Sequence, residues 1–402
     1  MSAAEPRRWA KTYPWLGEDP IPTAPCTSRE IYLQEIDRVF TQVWLCLGRV
    51  EELPSAGSYK LKRLEFASTS VLLIRGKDGA IRAFHNTCSH RGNTVVAPSG
   101  DWDEFGQKGA FTCRFHAWTY NTHGELMGIQ DPQGMPPCFD KADNGLTRIA
   151  CATWEGFVFI NLAPEPAVGL DEFLGAMGDH FAGYPYDKLT HNFTYHTVLN
   201  CNWKVGVDAF AEAYHVTTIH AGSFPGTFST GLQMVKLLGD HRTTAVCFDP
   251  GRELPPVARL AQSKARGSLV NNLATRSLPP TLNDEGRDDY AFELGEFFPN
   301  WLLHVAEGIW FTHQFWPLGH DKCLWEGKYY VAEPRTHSER WALEHAICLQ
   351  RNAWLEDTGT MEDTDFALRS GAKPVMQLHD EEVLVRHGYH VLDKYLTGTE
   401  ER

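Results

Sequence analysis

Two short Cys/His pairs in the first third of the chain have the composition of a metal site. Cys88 and His90 stand in C-S-H, and Cys113 and His116 stand in C-R-F-H. Their two thiolates and two imidazoles suit either a tetrahedral zinc ion or a [2Fe-2S] cluster in which the cysteines hold one iron and the histidines the other. The alternation of Cys and His in both pairs favours the cluster, because zinc motifs usually keep both ligands of a pair close to a tight knuckle.

A second set of candidate ligands lies in N-W-K-V-G-V-D-A-F-A-E-A-Y-H-V-T-T-I-H, which ends at His220. On a regular helix Asp208, Glu212 and His215 share one face, since steps of four and three residues keep them within roughly 60° of one another. His220 lies about 140° further round, so the two imidazoles converge only if the backbone leaves the regular helix between them. The β-branched residues between the histidines favour this departure, and such a turn is typical of a metal site.

The chain as a whole has the character of a globular protein with more than one core. Its 402 residues predict two domains, and 43% of them are apolar and 22% charged. The sequence has no run of about 18 apolar residues and no secretion signal at its start, so we expect a cytoplasmic protein. A formal net charge of -14 argues against nucleic acid and anionic membranes as partners, because like charges repel. The ten cysteines are scattered and do not predict a disulfide framework.

Local patterns predict the elements that must carry the first ligand set. Residues 1–27 suggest an extended arm, and a helix capped by Ser28 follows and ends near Trp44. In the β-rich region that comes next, 71–85 predicts a hairpin with Asp-Gly in its turn, and 154–162 predicts a single apolar strand. The A-P-E-P after that strand predicts a domain boundary.

The second half of the chain predicts a sheet with helices. Two aromatic-rich segments, 297–301 and 309–317, predict strands of a sheet that curves over a helix, with some of their side chains lining a pocket. The run from His379 to Leu396 predicts an amphipathic helix. Aromatic pocket residues on an acidic chain favour a neutral or cationic apolar ligand.

The sequences C-S-H-R-G and C-R-F-H-A-W-T-Y-N-T-H-G-E-L resemble the two cluster loops of Rieske domains in ring-hydroxylating oxygenases. N-W-K followed by D-x-x-x-E-x-Y-H-x-x-x-x-H resembles the catalytic iron motif of the same family, and the resemblance runs from about Ser28 to the C-terminal region. One departure is the longer interval between His90 and Cys113, whose extra residues predict a surface insertion within 98–109. The resemblance implies one [2Fe-2S] cluster and one mononuclear iron, with these ligands: Cys88, His90, Cys113 and His116 for the cluster, and His215 and His220 for the iron.

The same family takes a third iron ligand, a carboxylate, from far downstream. Here W-L-E-D-T-G-T-M-E-D-T-D-F-A-L-R-S-G-A matches the family pattern through its first E-D, which implies Asp357. The second E-D leaves Asp363 as the alternative carboxylate, while Asp365 and Ala367 depart from the family pattern. Two histidines and one carboxylate form a facial triad that leaves positions on Fe(II) open.

The resemblance also implies the fold, an α+β chain in which a small all-β Rieske domain is inserted into a larger helix-grip catalytic domain of antiparallel sheet and helices. We expect an N-terminal arm and helix over 1–40 that packs on the catalytic domain. The Rieske domain would then span 41–165, and the mononuclear iron domain 166–402.

The implied function is that of a terminal oxygenase component. The cluster would take electrons from a ferredoxin or reductase, with NAD(P)H acting only through that separate reductase. The Fe(II) would use them with O2 to oxidise a small organic molecule. Monooxygenation is favoured, and cis-dihydroxylation of an aromatic ring is the alternative.

The family further implies a homotrimer in which the cluster of one subunit lies beside the iron of the next, with a separate small subunit as a further option. Glu212, where many members have Asp, would bridge the two sites by accepting hydrogen bonds from His215 and from His116 of a neighbouring subunit. Asp208 either supports this network or serves as a structural anion.

Two other functional classes remain open from the residues. A Rieske electron carrier would leave the second half of the chain without a purpose. A di-iron carboxylate oxidase would use E-A-Y-H as a Glu-x-x-His unit, but it needs a second such unit and the sequence contains none.

Overall fold

The computed structural model describes residues 8–100, 102–224, 226–251, 256–261 and 278–398. They divide into two compact units, of which one runs from Phe40 to Phe173 and the other comprises the described residues before and after it. Each unit is built on one large antiparallel sheet. This arrangement confirms the α+β class with a small β domain inserted into a larger one. Among the described residues no helix is both long and apolar enough to cross a membrane.

The N-terminal segment is not an extended arm as predicted, because short helices occupy much of it. Ser28 caps the last of them, since its side chain accepts a hydrogen bond from the backbone N–H of Ile31. That helix continues as a π-helical turn and ends at Phe40, before the predicted end near Trp44. The elements are α1 (Trp9–Thr12), β1 (Ile21–Pro22), α2 (Ala24–Thr27) and α3 (Arg29–Glu35).

The described residues of the smaller unit form ten strands in two antiparallel sheets. The larger sheet has the order β2-β11-β10-β5-β4-β3-β6, and the smaller has the order β7-β8-β9. The hairpin predicted over 71–85 is confirmed, with Arg75 paired to Ile81 across its turn. The strands are β2 (Leu45–Arg49), β3 (Ser58–Leu64), β4 (Thr69–Arg75), β5 (Ile81–His85), β6 (Glu104–Gln107), β7 (Phe111–Thr112), β8 (Thr119–Tyr120), β9 (Leu126–Gly128), β10 (Arg148–Trp154) and β11 (Phe157–Asn161).

The prediction of a single strand over 154–162 is wrong. Trp154 ends β10, and the chain reverses through Glu155 and Gly156, whose φ angles are 46° and 79°. Positive φ at both central residues is the condition for a tight hairpin turn of type I′. The apolar run is therefore the second strand of a hairpin, preceded by its turn.

The insertion between His90 and Cys113 is more than a surface loop. Its residues Glu104–Gln107 form β6, which pairs with β3 and extends the sheet at that edge. Asp103, just before the strand, forms ion pairs with Lys60 (2.9 Å) and Lys62 (3.1 Å) of β3. This segment therefore adds an edge strand to the sheet.

The larger unit is a seven-stranded antiparallel sheet with helices, in the order β12-β18-β17-β16-β15-β14-β13. Helix α5 packs against α7 and against β17, and this packing sets the position of the segment that follows it. The predicted C-terminal helix is present but begins at Val383, after a 3-10 turn. The elements are α4 (Leu170–Phe181), β12 (His191–Leu199), α5 (Trp203–Ala209), α6 (Val216–Ile219), β13 (Gln233–Leu238), β14 (His241–Cys247), β15 (Tyr290–Phe297), β16 (Trp301–Ala306), β17 (Ile309–Gly319), β18 (Lys322–Val331), α7 (His337–Leu368), β19 (Val375–Met376) and α8 (Val383–Thr397).

Candidate metal centres

The N-W-K motif anchors the segment that carries the histidines. Asn202 caps α5 through the backbone N–H of Lys204, and its own N–H donates to Asp365 of α7 at 2.8 Å. The Trp203 indole and the Lys204 ammonium both donate to the buried carboxylate of Glu35, at 2.9 and 2.6 Å. A buried charge is tolerated only when it is paired and hydrogen-bonded in this way. The motif therefore has a structural role, which is to fix where α5 begins.

The backbone between the two histidines differs from the prediction. Helix α5 ends at Ala209, so Asp208 and Glu212 do not lie on one continuous helix. The segment Val216–Ile219 is helical, whereas the prediction placed a break there. His215 and His220 flank this single turn as its caps, and His220 leaves helical geometry itself, with φ -90° and ψ 16°. The two rings nevertheless converge, with their centroids 5.2 Å apart.

His215, His220 and Asp357 meet at one point. Asp357 Oδ1 lies 3.2 Å from His220 Nε2 and 3.6 Å from His215 Nε2, and the three ligand atoms all lie within 4.8 Å of one another. Two ligand atoms about 2.1 Å from an octahedral ion are about 3.0 Å apart. The spacing of this donor set therefore fits a single divalent ion.

A carboxylate behind each imidazole determines which nitrogen carries the proton. Glu212 accepts a short hydrogen bond from His215 Nδ1, and Glu356 accepts one from His220 Nδ1 at 2.9 Å. Both Nε2 atoms consequently present lone pairs toward Asp357. Three electron-pair donors that face one point can share a cation between them, so the site fits the implied iron.

Glu356 was not assigned a role from the sequence, although it directly precedes Asp357. Besides His220, it accepts a hydrogen bond from Ser223 Oγ at 2.9 Å, which holds the carboxylate in place. We predict that Glu356→Gln lowers metal affinity at this site by about 10- to 100-fold, because the His220 tautomer is no longer enforced. Titration of apoprotein with Fe(II) under nitrogen measures the change. Glu344→Gln, an exposed change on the same helix, serves as the control and leaves the affinity as it was.

The other two candidate carboxylates lie outside this group of three. Asp363, which the sequence offers as the alternative ligand, is exposed on α7. Asp208 accepts a hydrogen bond from the Tyr389 hydroxyl at 2.8 Å, and Tyr389 in turn contacts Cys26 Sγ at 3.0 Å. These contacts favour a structural role for Asp208 over direct support of the Glu212 network.

Asp208 provides a prediction about stability and pH. Desolvation raises the pKa of Asp208 to about 7, even though Tyr389 and the cations Arg242 and Lys204 oppose the shift. The unfolded carboxyl titrates near 3.9, so between about pH 4 and 7 the folded state retains a proton that the unfolded state has lost. The contribution of Asp208 to the stability of the folded state therefore falls as pH rises through this range.

Asp208→Asn removes this titration, and we expect its stability to fall less steeply with pH. The difference is on the order of 2–4 kcal/mol across the range, since each pKa unit corresponds to about 1.4 kcal/mol. Thermal unfolding of both chains at several pH values between 4.5 and 7.5 measures it. Parallel curves for the natural chain and the variant would exclude this carboxyl as the titrating group.

The three converging side chains lie in the wall of a cavity of about 220 Å³. A cavity of about 150 Å³ is enough to hold benzene, so this one has room for a substituted single ring. Of the two segments predicted to contribute to a pocket, 309–317 does so through Ile309, Phe311 and His313, whereas no described residue of 297–301 lines the cavity. Other aromatic lining residues are Phe210, Phe224, Phe228, Phe248, Phe292, Tyr329 and Trp354.

The two Cys/His pairs converge in the smaller unit. His90 Nδ1 and His116 Nδ1 lie 3.2 Å apart, close to the ~3.4 Å expected for two nitrogens bound to one tetrahedral ion. Cys88 and Cys113 are buried in the apolar core, while both histidines are partly exposed. The donor set thus has two buried sulfurs and two nitrogens near the surface, which fits a cluster with its histidine-bound iron toward solvent.

Hydrogen bonds support the thiolate form at Cys113, whereas burial raises the pKa of Cys88 despite its contact with Tyr120. Burial acts to raise the pKa of Cys113, but hydrogen bonds from the backbone of Phe115 and from the side chain of Asn93 outweigh it and lower this pKa. The Asn93 amide lies 3.6 Å from the sulfur. Tyr120 OH lies 3.2 Å from Cys88 Sγ. Hydrogen bonds to the sulfurs also tune the reduction potential of such clusters.

Comparison with known proteins agrees with both centres. The family model of the ring hydroxylating alpha subunit catalytic domain matches residues 186–398, and that of the Rieske [2Fe-2S] domain matches residues 43–140. The first of these models covers more than half of the chain and includes all three converging side chains. The second includes all four cluster candidates.

Two individual relatives are also oxygenase subunits. The glycine betaine monooxygenase oxygenase subunit of Chromohalobacter salexigens is 29% identical over 204 residues, which are 51% of this chain and 44% of that protein. The chlorobenzene dioxygenase subunit alpha of a Cupriavidus species is 30% identical over 222 residues, 52% of this chain and 46% of the relative. The chain thus spans less than half the length of these relatives.

A solved structure shares the fold over nearly the whole chain. It is a quaternary ammonium Rieske monooxygenase in complex with an inhibitor, with a TM-score of 0.75, 20% identity, and coverage of 98% of this chain and 99% of that one. The two matched domain models and the shared fold therefore indicate the same family. The chain belongs to the family of Rieske non-haem iron oxygenases, as a ring-hydroxylating alpha subunit.

Proposed function

We propose that this chain is the terminal component of an oxygenase that uses O2 and electrons from a ferredoxin or reductase to hydroxylate an aromatic or other apolar organic molecule. Monooxygenation is the favoured outcome and cis-dihydroxylation of an aromatic ring the alternative. The observation that carries the proposal is the convergence of His215, His220 and Asp357 in the wall of an aromatic cavity.

When bound, the cluster supplies single electrons and the mononuclear Fe(II) uses them to activate O2. The protein's own contribution is to hold the ligands and to shape the cavity. Glu212 and Glu356 keep the Nδ1 protons in place, so that both Nε2 atoms stay available as ligands. The aromatic walls exclude water and orient an apolar molecule beside the metal.

We also propose a homotrimer in which Glu212 connects the iron site with the cluster of a neighbouring subunit. His116 directs Nδ1 toward the cluster position, which leaves Nε2 on the opposite side of a partly exposed ring. Glu212 is 10% exposed and binds His215 with both oxygens, yet carboxylate oxygens can accept further hydrogen bonds. These two groups therefore suit a contact between subunits.

Monooxygenation is favoured because two of the similar proteins are monooxygenases. One is the glycine betaine monooxygenase subunit, and the other is the quaternary ammonium Rieske monooxygenase of similar structure. The chlorobenzene relative is a dioxygenase, which keeps the alternative open. The ligand set is shared by both reactions, so the orientation of the substrate decides between them.

Metal analysis and product mass test the proposal. We expect about 3 Fe and about 2 acid-labile sulfides per chain, whereas an electron carrier would hold about 2 of each and a di-iron oxidase about 2 Fe without sulfide. A substrate screen with a generic reductase then assigns the reaction. One oxygen gained or a fragment lost indicates monooxygenation, and two oxygens gained indicate dihydroxylation.

A further inference from the structure

The cavity that contains the metal ligands is long and follows helix α7. Side chains at successive turns of one helix face line it, namely Leu343, Ala346, Gln350, Trp354 and Asp357. At a rise of 1.5 Å per residue, Leu343 lies about 21 Å along the helix from Asp357. The cavity therefore extends beyond the space that a single ring beside the metal ligands would occupy.

Strand β17 forms another part of the wall and shows which end of the cavity lies at the metal ligands. Its alternate residues Ile309, Phe311 and His313 line the cavity. The His313 ring lies 4.9 Å from the ring of Trp354, which is one helical turn from Asp357. Ile309 lies about 13 Å further back along the strand, where β16 and β17 join in a hairpin.

The chain connection places the start of α7 at this hairpin. Val331 ends β18 and pairs with Ile309, and the five residues 332–336 lead from it to α7. A link of this length keeps the first turns of α7 near the hairpin and far from the metal ligands. We call this part of the cavity the hairpin end, and it is lined by Ala306, Glu307, Ile309, Val331 and Leu343.

The walls are apolar along the whole length but differ between the two ends. Near the metal ligands they are mainly aromatic, since Phe210 stacks on His313 at 3.8 Å and Phe224 lies 6.2 Å from His220. From Ala346 to the hairpin end most of the lining side chains are aliphatic. A ligand that extends along the cavity would therefore gain affinity with each methylene that it buries.

One carboxylate at the hairpin end is available to a ligand. Glu307 lines the cavity and is exposed, so the cavity wall reaches the surface there. No described residue forms a hydrogen bond or an ion pair with this carboxylate. The described lining contains neither Lys nor Arg, and its other two carboxylates, Glu212 and Asp357, belong to the metal centre. A cationic group at the hairpin end is therefore attracted, whereas an anionic group is repelled.

Resting on the proposed oxygenase function, we propose that the substrate is an elongated, mainly apolar molecule with a basic nitrogen at one end. Its apolar end lies beside the metal, its chain follows α7, and its ammonium group meets Glu307 at the hairpin end. In this arrangement the distance between Glu307 and the metal ligands selects which carbon of the molecule faces the metal.

The test measures the binding of a series of amines to the purified full chain with its metals, under nitrogen and without reductant. The probes 2-phenylethylamine, 5-phenylpentylamine and 8-phenyloctylamine differ only in the number of methylenes. We expect each added methylene to raise the affinity by about 3- to 4-fold, because it buries more apolar surface. Calorimetry measures these affinities without turnover.

Ala346→Phe tests the path of the chain, because longer amines would also bind better to any apolar surface. The larger side chain narrows the cavity about 16 Å from Asp357 along α7. It should weaken the binding of 8-phenyloctylamine by at least about 10-fold and leave that of 2-phenylethylamine within about twofold. Asn352→Phe adds the same ring at an exposed position of α7 and should change neither affinity. Iron and sulfide analysis checks that both variants keep their metal centres.

Glu307→Gln tests the charge at the hairpin end. We compare 8-phenyloctylamine with 8-phenyloctanol, which has the same length without the charge. The ratio of their affinities should fall about 3-fold in Glu307→Gln, a modest change because the carboxylate is exposed. High salt should lower the same ratio in the natural chain. Glu344→Gln removes an exposed carboxylate outside the cavity lining and should leave the ratio unchanged.

Several results would overturn the inference. These are an affinity that does not rise with chain length, an Ala346→Phe variant that weakens the short and the long amine equally or neither of them, and an amine-to-alcohol ratio that Glu307→Gln leaves unchanged. Failure of the proposed oxygenase function is a separate result, because it would appear as missing iron or sulfide or as a lack of oxygenated product. The affinity ratios can be measured whether or not product forms.

Discussion

Asp357→Asn is expected to lose the mononuclear iron while the cluster remains. Iron should fall from about 3 to about 2 per chain at unchanged acid-labile sulfide, and product formation should fall below detection. Asparagine keeps the size of the side chain but removes the negative charge that faces two imidazole lone pairs. Two neutral nitrogens alone bind Fe(II) weakly. Iron and sulfide analysis of the purified variant, together with the cluster absorption spectrum, measures both effects.

Asp363→Asn is the matched control for this experiment. Both residues lie on α7 and both follow a glutamate, but Asp363 is exposed whereas Asp357 is buried. The control should retain its full iron content and its activity. If Asp363→Asn lost iron and Asp357→Asn kept it, the assignment of the third ligand would be reversed. Full iron content in both variants would place the third ligand elsewhere.

Glu212→Gln is expected to leave both metal centres filled and yet reduce product formation by about 100-fold. Glutamine preserves the length of the side chain but lacks the charge that pairs with His215 and, in the proposed trimer, with His116 of the neighbour. The electron route between the centres should therefore fail before either centre is lost. Single-turnover experiments, in which reoxidation of a pre-reduced cluster is followed after substrate and O2 are added, measure this step directly.

Two further variants separate the proposed bridge from a merely structural role. Glu212→Asp retains a carboxylate and should keep most of the product formation. Glu356→Gln makes the same chemical change behind His220, and should act on iron content more than on cluster reoxidation. Turnover of Glu212→Gln within about twofold of the natural chain would rule out the bridge, since removal of such a partner typically costs 10–100-fold.

Much of the fold and of the metal chemistry could be predicted from the sequence because the relevant signals are local. The C-S-H and C-R-F-H loops each place a thiolate and an imidazole within a few residues, so their ligand character is visible without tertiary structure. The hairpin over 71–85 was predicted from an Asp-Gly turn, which acts through local backbone preference. The strand over 154–162 was predicted wrongly, because the hydrophobic pattern hid a turn at Glu155 and Gly156 that depends on their backbone conformation.

Interactions between distant segments were harder to predict. Glu356 stands beside a predicted ligand in the sequence, but only the packing of α7 against α5 brings it to His220. The insertion between the cluster loops was predicted as surface structure, and its pairing with β3 depends on an available sheet edge. The sequence around Asp208 is compatible with two roles, and its contact with Tyr389 of α8, far along the chain, favours one of them.

By itself, the sequence determined the residue types that can bind metal, the resemblance to a family, and the order of the β and mixed segments. These properties depend on composition and on spacing of a few residues. Only the tertiary structure decided that His215, His220 and Asp357 face one point. Their placement follows from sheet register and helix packing, which join residues that are far apart in the chain and leave no local pattern in the sequence.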